Sequence, residues 1–201
     1  DMSCPSDKQA FQDLWLGYTE TFGNKELRYE ISKTYDTAKP EHILCFAGAE
    51  EGIYVAMRVL LSHNDHAIIV VPNYQAAETI PLDICEVSGV PLNPEENWSL
   101  DIDRVKNEIR PNTKLISINF PNNPTGAILA KEHFDELINI CRQRGLYLFS
   151  DEVYRLMEHD TGLRLPQVGD IYERGLSLNV MSKAYGLPGL RLGWIMCKDE
   201  N

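Results

Sequence analysis

Seven short apolar runs, rich in β-branched residues, set the strongest limit on how this chain can fold. They are 43–47 (ILCFA), 67–72 (AIIVVP), 84–90 (ICEVSGV), 115–120 (LISINF), 146–150 (LYLFS), 176–181 (LSLNVM) and 192–197 (LGWIMC). Most are nearly continuous and lack the polar alternation of a strand with one wet face. Such runs fit strands buried on both faces, in a mostly parallel sheet covered by helices.

Helical patterns lie between the runs. Residues 50–62 carry acids in the first turn and apolar residues at Ile53, Ala56, Val59 and Leu60. Residues 131–144 place Phe134, Leu137, Ile138 and Cys141 on one face, and Gly145 supplies the stop. Asn24 is a candidate cap for 25–35, with Leu27 and Ile31 facing inward. Residues 101–110 form a further short amphipathic segment. Strands alternating with helices predict an α/β fold with a parallel core. The stretches 91–99 and 159–170 read as surface loops.

Composition removes several function classes. The net charge of −11 repels a phosphate backbone, so nucleic-acid binding is not expected. No apolar run approaches the roughly 18 residues of a membrane span. The start, DMSCPSDKQ, has neither a basic nor an apolar signal region and does not begin with an initiator Met, so the chain reads as a processed or trimmed piece. Five cysteines are widely spaced without a CxxC pair or a Cys/His cluster. No metal site is expected, and the setting is read as reducing and cytoplasmic. Cys45, Cys141 and Cys197 read as small core residues.

In open α/β sheets, ligands bind beyond the carboxyl ends of the strands. The residues that follow each run therefore matter most. Gly48, Ala49 and Glu50 open a helix, which suits either an anion or a plain turn. Glu50 and Glu51 weigh against an anion there. Tyr74 either stacks on a flat ligand or fills the rim of the core. Asn123 sits in the stiff turn PNNPTG. Asp151 ends a buried run and either caps a helix or meets a cationic partner. Lys183 follows the run 176–181, where burial lowers the pKa of an amine and makes it nucleophilic, unless it reaches solvent. Arg191 is a phosphate clamp or the partner of an acid.

Taken together, the stretch SKAYGLPGLRLGW (182–194) resembles the lysine motif of fold-type I pyridoxal-phosphate enzymes, class I/II aminotransferases in particular. PNNPTG and SDEVY resemble two further signatures of that family, in the same order. YTETFGNKELR (18–28) and AGAEEGIY (47–54) resemble its N-terminal and phosphate-cup segments. The resemblance implies a three-layer α/β/α fold with a mostly parallel seven-stranded sheet. It implies a helical segment over 1–40 packed on a large cofactor domain over 41–201. It implies that Lys183 forms the internal aldimine with pyridoxal 5′-phosphate and afterwards moves a proton at the substrate α-carbon. Asp151 would pair with the pyridinium nitrogen, Asn123 and Tyr154 would hydrogen-bond the phenolic oxygen, and Tyr74 would stack on the ring. Arg191, Ser182 and the backbone N–H groups of Gly48, Ala49 and Glu50 would hold the phosphate. Tyr18 would reach the phosphate of a neighbouring subunit, which implies a homodimer.

The implied activity is transfer of an amino group between an amino acid and a 2-oxo acid. A lyase, decarboxylase or cyclase acting on an amino acid is the alternative on the same scaffold. Two departures from the pattern stand out. Val180 occupies the position, three before the lysine, where many members carry a phosphate-binding Ser. The family's C-terminal small domain, with its carboxylate-gripping Arg, is expected to be absent from these 201 residues, as is an N-terminal segment with a substrate-side glycine. On that reading the chain alone binds its cofactor weakly and turns over poorly.

Overall fold

The computed structural model describes residues 3–199. Seven strands form one sheet: β1 (Ile43–Phe46), β2 (His66–Val71), β3 (Glu86–Pro91), β4 (Thr113–Asn119), β5 (Tyr147–Asp151), β6 (Gly175–Val180) and β7 (Gly193–Met196). Their order is β1-β7-β6-β5-β4-β2-β3. Only β7 runs against its neighbours; the pairs β6–β5, β5–β4, β4–β2 and β2–β3 are parallel. The expected mostly parallel seven-stranded α/β architecture is what the chain adopts.

Side-chain alternation explains why the runs look continuous. In β2, Ala67 and Ile69 face one layer while Ile68 and Val70 face the other, and all four are buried. Helices α3 (Ala49–Leu60) and α4 (Gln75–Leu82) cover the first face through Ile53, Met57 and Ala77. Helices α5 (Ile102–Glu108), α6 (Lys131–Arg144) and α7 (Val168–Ile171) cover the second through Val105, Leu137, Cys141 and Val168. A fully buried Leu, Ile or Phe contributes about 1.5–3 kcal/mol, and both faces are lined with such residues.

Local signals account for several boundaries. Asn24 accepts from the Glu26 and Leu27 N–H groups and starts α2 (Lys25–Ser32), which packs Ile31 against Ile43, Trp194 and Met196. Gly145 ends α6 in the left-handed region at φ 67°. By contrast, α1 (Pro5–Gln12) has no buried residue.

The structure adds to or corrects several expectations. The stretch 91–99 is a largely exposed loop as expected, but Leu92 is buried and Asn93 bridges Ser99, which the sequence did not show. The stretch 159–170 contains the start of α7, whose Val168 and Gly169 are buried against β6. Helix α4 was not expected at all, since it is short and carries Pro81. Among the cysteines read as core, only Cys141 is buried; Cys45 and Cys197 are half-buried.

A polar cluster closes the amino end of the sheet, far from the rim. His66 is fully buried, with Nδ1 2.8 Å from Thr113 Oγ1 and Nε2 3.0 Å from Ser88 Oγ. Ser88 donates onward to Glu108, so the neutral ring carries its proton on Nε2. Burial, and the positive charge of Arg110, hold the His66 pKa down against Glu86 and Glu108. The unfolded chain therefore takes up this proton first, and stability falls as pH drops below about 6.5. In urea unfolding, wild type is expected to lose its advantage over His66→Gln between pH 7.5 and pH 5. A gap between the two that does not move with pH would contradict the neutral assignment.

Candidate active site

The parallel register of β4, β5 and β6 delivers three chain ends to one rim. Asn119 lies beside Asp151, and Asp151 beside Leu178, so the turns after these strands emerge together. Because β7 runs the other way, its beginning lies at that same rim. Gly193 pairs with both Val180 of β6 and Phe46 of β1. This is how Arg191 can follow Lys183 by only eight residues and still face the same space.

That space is a cavity of about 260 Å³ lined by Ala49, Glu50, Tyr74, Asn123, Asp151, Tyr154, Ser182, Lys183 and Arg191. Ile53, Val153 and Val180 give it apolar walls. Gly48 adjoins it through Arg191. Tyr18 does not line it and is fully exposed.

One side is built for an anion. Gly48 precedes α3 at φ 107°, and no side chain caps the helix start. Glu51 instead folds back onto the Ala47 N–H. A Cβ at Gly48 would lie 2.6 Å from Arg191 Nη2, so only glycine lets the guanidinium come this close. A Cβ at Gly193 would lie 2.8 Å from the Ala49 nitrogen, so β7 also packs backbone to backbone against the cradle. Arg191 donates to the Pro188 carbonyl at 2.9 Å and forms no ion pair among the described residues. A guanidinium beside free N–H groups at a helix start favours phosphate.

The same cavity holds an acid. Asp151 is 3% exposed and starts no helix; its Oδ1 accepts from the Val153 N–H at 3.2 Å. Burial raises its pKa to about 7, against the Val153 hydrogen bond and the Lys183 charge. Lys183 Nζ lies 5.4 Å from the Tyr154 ring centroid. Lys183 itself is exposed, which corrects the expectation of a desolvated amine. The turn that carries it stands open to solvent from Tyr185 to Arg191. Tyr74 is also exposed, at the start of α4, and its hydroxyl donates to Glu50 Oε2 at 3.5 Å.

Two asparagines missed in the sequence hold these parts together. Asn119 is buried; its Nδ2 donates to the Asp151 carbonyl and its Oδ1 accepts from the Asn123 N–H at 2.8 Å. Asn122 donates to the Pro72 carbonyl at 2.9 Å and accepts from the Thr125 hydroxyl at 2.6 Å. The available signal was a buried-strand run ending in a polar residue, which must find partners.

An amine, an acid and an anion cradle around one cavity suit a molecule that carries an anionic group, a cationic partner for the acid and a carbonyl for the amine. The sequence comparisons agree. The family profile described as aminotransferase class I and II matches residues 4–201. The chain belongs to that family. It is 31% identical over 199 residues to an aspartate aminotransferase of Pyrococcus horikoshii, covering 96% of this chain and 51% of that one. It is 29% identical to the arginine–pyruvate transaminase AruH of Pseudomonas aeruginosa, covering 98% and 52%. Among solved structures, a PLP-dependent aminotransferase from Streptococcus suis superposes with a TM-score of 0.90 at 34% identity, covering 98% and 52%. The chain thus spans about half the length of the relatives it matches.

The buried acid makes a prediction. Asp151 keeps its proton longer in the folded chain than in the unfolded one, so stability falls as pH rises from about 4 to 7. That shift corresponds to about 4 kcal/mol. Without cofactor, Asp151→Asn keeps the size and the Val153 bond, and is expected to be more stable than wild type at pH 8. The gain should shrink towards pH 4. A destabilised variant, or a gain independent of pH, would contradict the burial of an unpaired carboxylate.

Proposed function

We propose that this chain is the cofactor-binding part of an aminotransferase that moves an amino group between an amino acid and a 2-oxo acid, using pyridoxal 5′-phosphate. The observation that carries this reading is that Lys183, Asp151, Ala49 and Arg191 line one cavity, with Gly48 packed against the Arg191 guanidinium. The residues fit the cofactor on their own chemistry. Asp151 is a buried acid lacking a full counter-charge, and a cationic ring nitrogen would supply it. The cradle offers a guanidinium and uncapped N–H groups to a phosphate.

Lys183 Nζ would hold the cofactor covalently, with Asp151 at the ring nitrogen. Asn123 and Tyr154 would meet the phenolic oxygen, and Tyr74 would stack on the ring. Arg191, Ser182 and the N–H groups of Gly48, Ala49 and Glu50 would hold the phosphate. Val180 presents methyl groups where many family members have a hydroxyl, so Ser182 is the hydroxyl left to serve the phosphate. When bound, the cofactor supplies a ring that accepts the electrons left at a substrate α-carbon. Lys183 Nζ, once free, would take the proton from the α-carbon of the amino-acid donor, and in the return half of the exchange would put a proton on the α-carbon of the oxo acid. Its openness to solvent leaves room for the nitrogen to swing between the two tasks.

In this proposal 41–201 is the large domain, and 1–40 is the segment that packs on it and on a second copy. An eight-residue helix is marginal in water, and α1 buries nothing in the single chain. Beyond it, Leu14, Trp15, Leu16 and Tyr18 are all exposed, as expected of an arm that docks on a partner in a homodimer. Five free cysteines favour a reducing, cytoplasmic setting. No helix among the described residues is long and apolar enough to cross a membrane.

The full-length protein with pyridoxal phosphate is expected to lose its visible absorbance band on adding an amino acid donor and to regain it with a 2-oxo acid. Lys183→Ala should slow the exchange at least about 100-fold. Release of ammonia without recovery by the oxo acid would point to a lyase and contradict the reading.

A further inference from the structure

The anion cradle contains a carboxylate of its own. Two acids open α3, and they behave differently. Glu51 turns back to the Ala47 N–H, outside the cavity. Glu50 is exposed and lines the cavity with Arg191 and Ser182, steadied on that side by the Tyr74 hydroxyl. Glu50 forms no ion pair among the described residues, so Arg191 does not neutralise it. By itself an acid here is favourable, because it complements the positive end of the helix dipole. Once an anion enters the cradle, the same charge opposes it.

Resting on the function proposed above, we propose that Glu50 sets how tightly the site holds the phosphate, acting as a like charge that weakens the grip of Arg191 and the helix start. The cradle then binds a phosphorylated cofactor less tightly than a neutral residue at this position would allow. Because Glu50 is exposed, the high-dielectric limit applies, and the effect corresponds to a factor of about 3 to 10 in affinity. The effect is one between charges, so it falls on the phosphorylated compound and not on pyridoxal, which carries no phosphate.

The test compares the full-length protein with Glu50→Gln, which keeps the size and the acceptor for Tyr74. Each is titrated with pyridoxal phosphate and, separately, with pyridoxal, following visible absorbance. The variant is expected to bind the phosphorylated compound about 3- to 10-fold tighter, with pyridoxal unchanged. The difference should shrink in about 1 M salt, where charges are screened within about 3 Å. Equal affinity of the two proteins for pyridoxal phosphate overturns the inference. So does a parallel shift for both compounds, which would mean that Glu50 acts through Tyr74 or the helix. A wild type that binds neither compound removes the function itself, a result recognisable because no titration curve appears.

Discussion

The burial of one carboxyl group at the end of β5 is the constraint on which the site depends. Asp151 lies where water is excluded, and its neighbours satisfy it only in part. Such a group is costly unless a cationic partner arrives. The rest of the rim is arranged around that need. Asn119 bonds the Asp151 backbone on one side and the Asn123 backbone on the other, so the acid and the stiff turn move as one unit. Parallel pairing keeps β4, β5 and β6 level, and the reversed β7 brings Arg191 back to the same edge.

The second constraint is a close approach of backbones. Gly48 and Gly193 leave no side chain between β7 and the start of α3. The helix start and the guanidinium can therefore share one anion. The two halves of the site have opposite electrostatic characters, an unpaired acid and an excess of donors. A molecule with a basic ring nitrogen and a phosphate satisfies both at once, which is why the cofactor reading follows from chemistry as well as from family membership.

Much of this was legible in the residues. All seven strands follow the apolar runs, because a sheet covered on both faces leaves no polar alternation to hide them. The Asn24 cap and the Gly145 stop rest on local chemistry and were visible for the same reason. What escaped was set by tertiary context. Helix α4 carries a proline and α7 has only four residues, so neither has a periodic signature long enough to read. Asn119 and Asn122 are ordinary letters until their partners, up to 50 residues away, are known. The exposure of Lys183 depends on how its turn stands from the rim, which no spacing encodes.

The central claim is that one amine, that of Lys183, holds the cofactor opposite Asp151. Borohydride reduction of the cofactor-loaded protein, followed by tryptic mass mapping, tests it most directly. Trypsin does not cut after a modified lysine, so residues 175–191 should appear as one peptide carrying the reduced cofactor. A tag on any other lysine, or an untagged 175–183 peptide from fully loaded protein, would contradict the account.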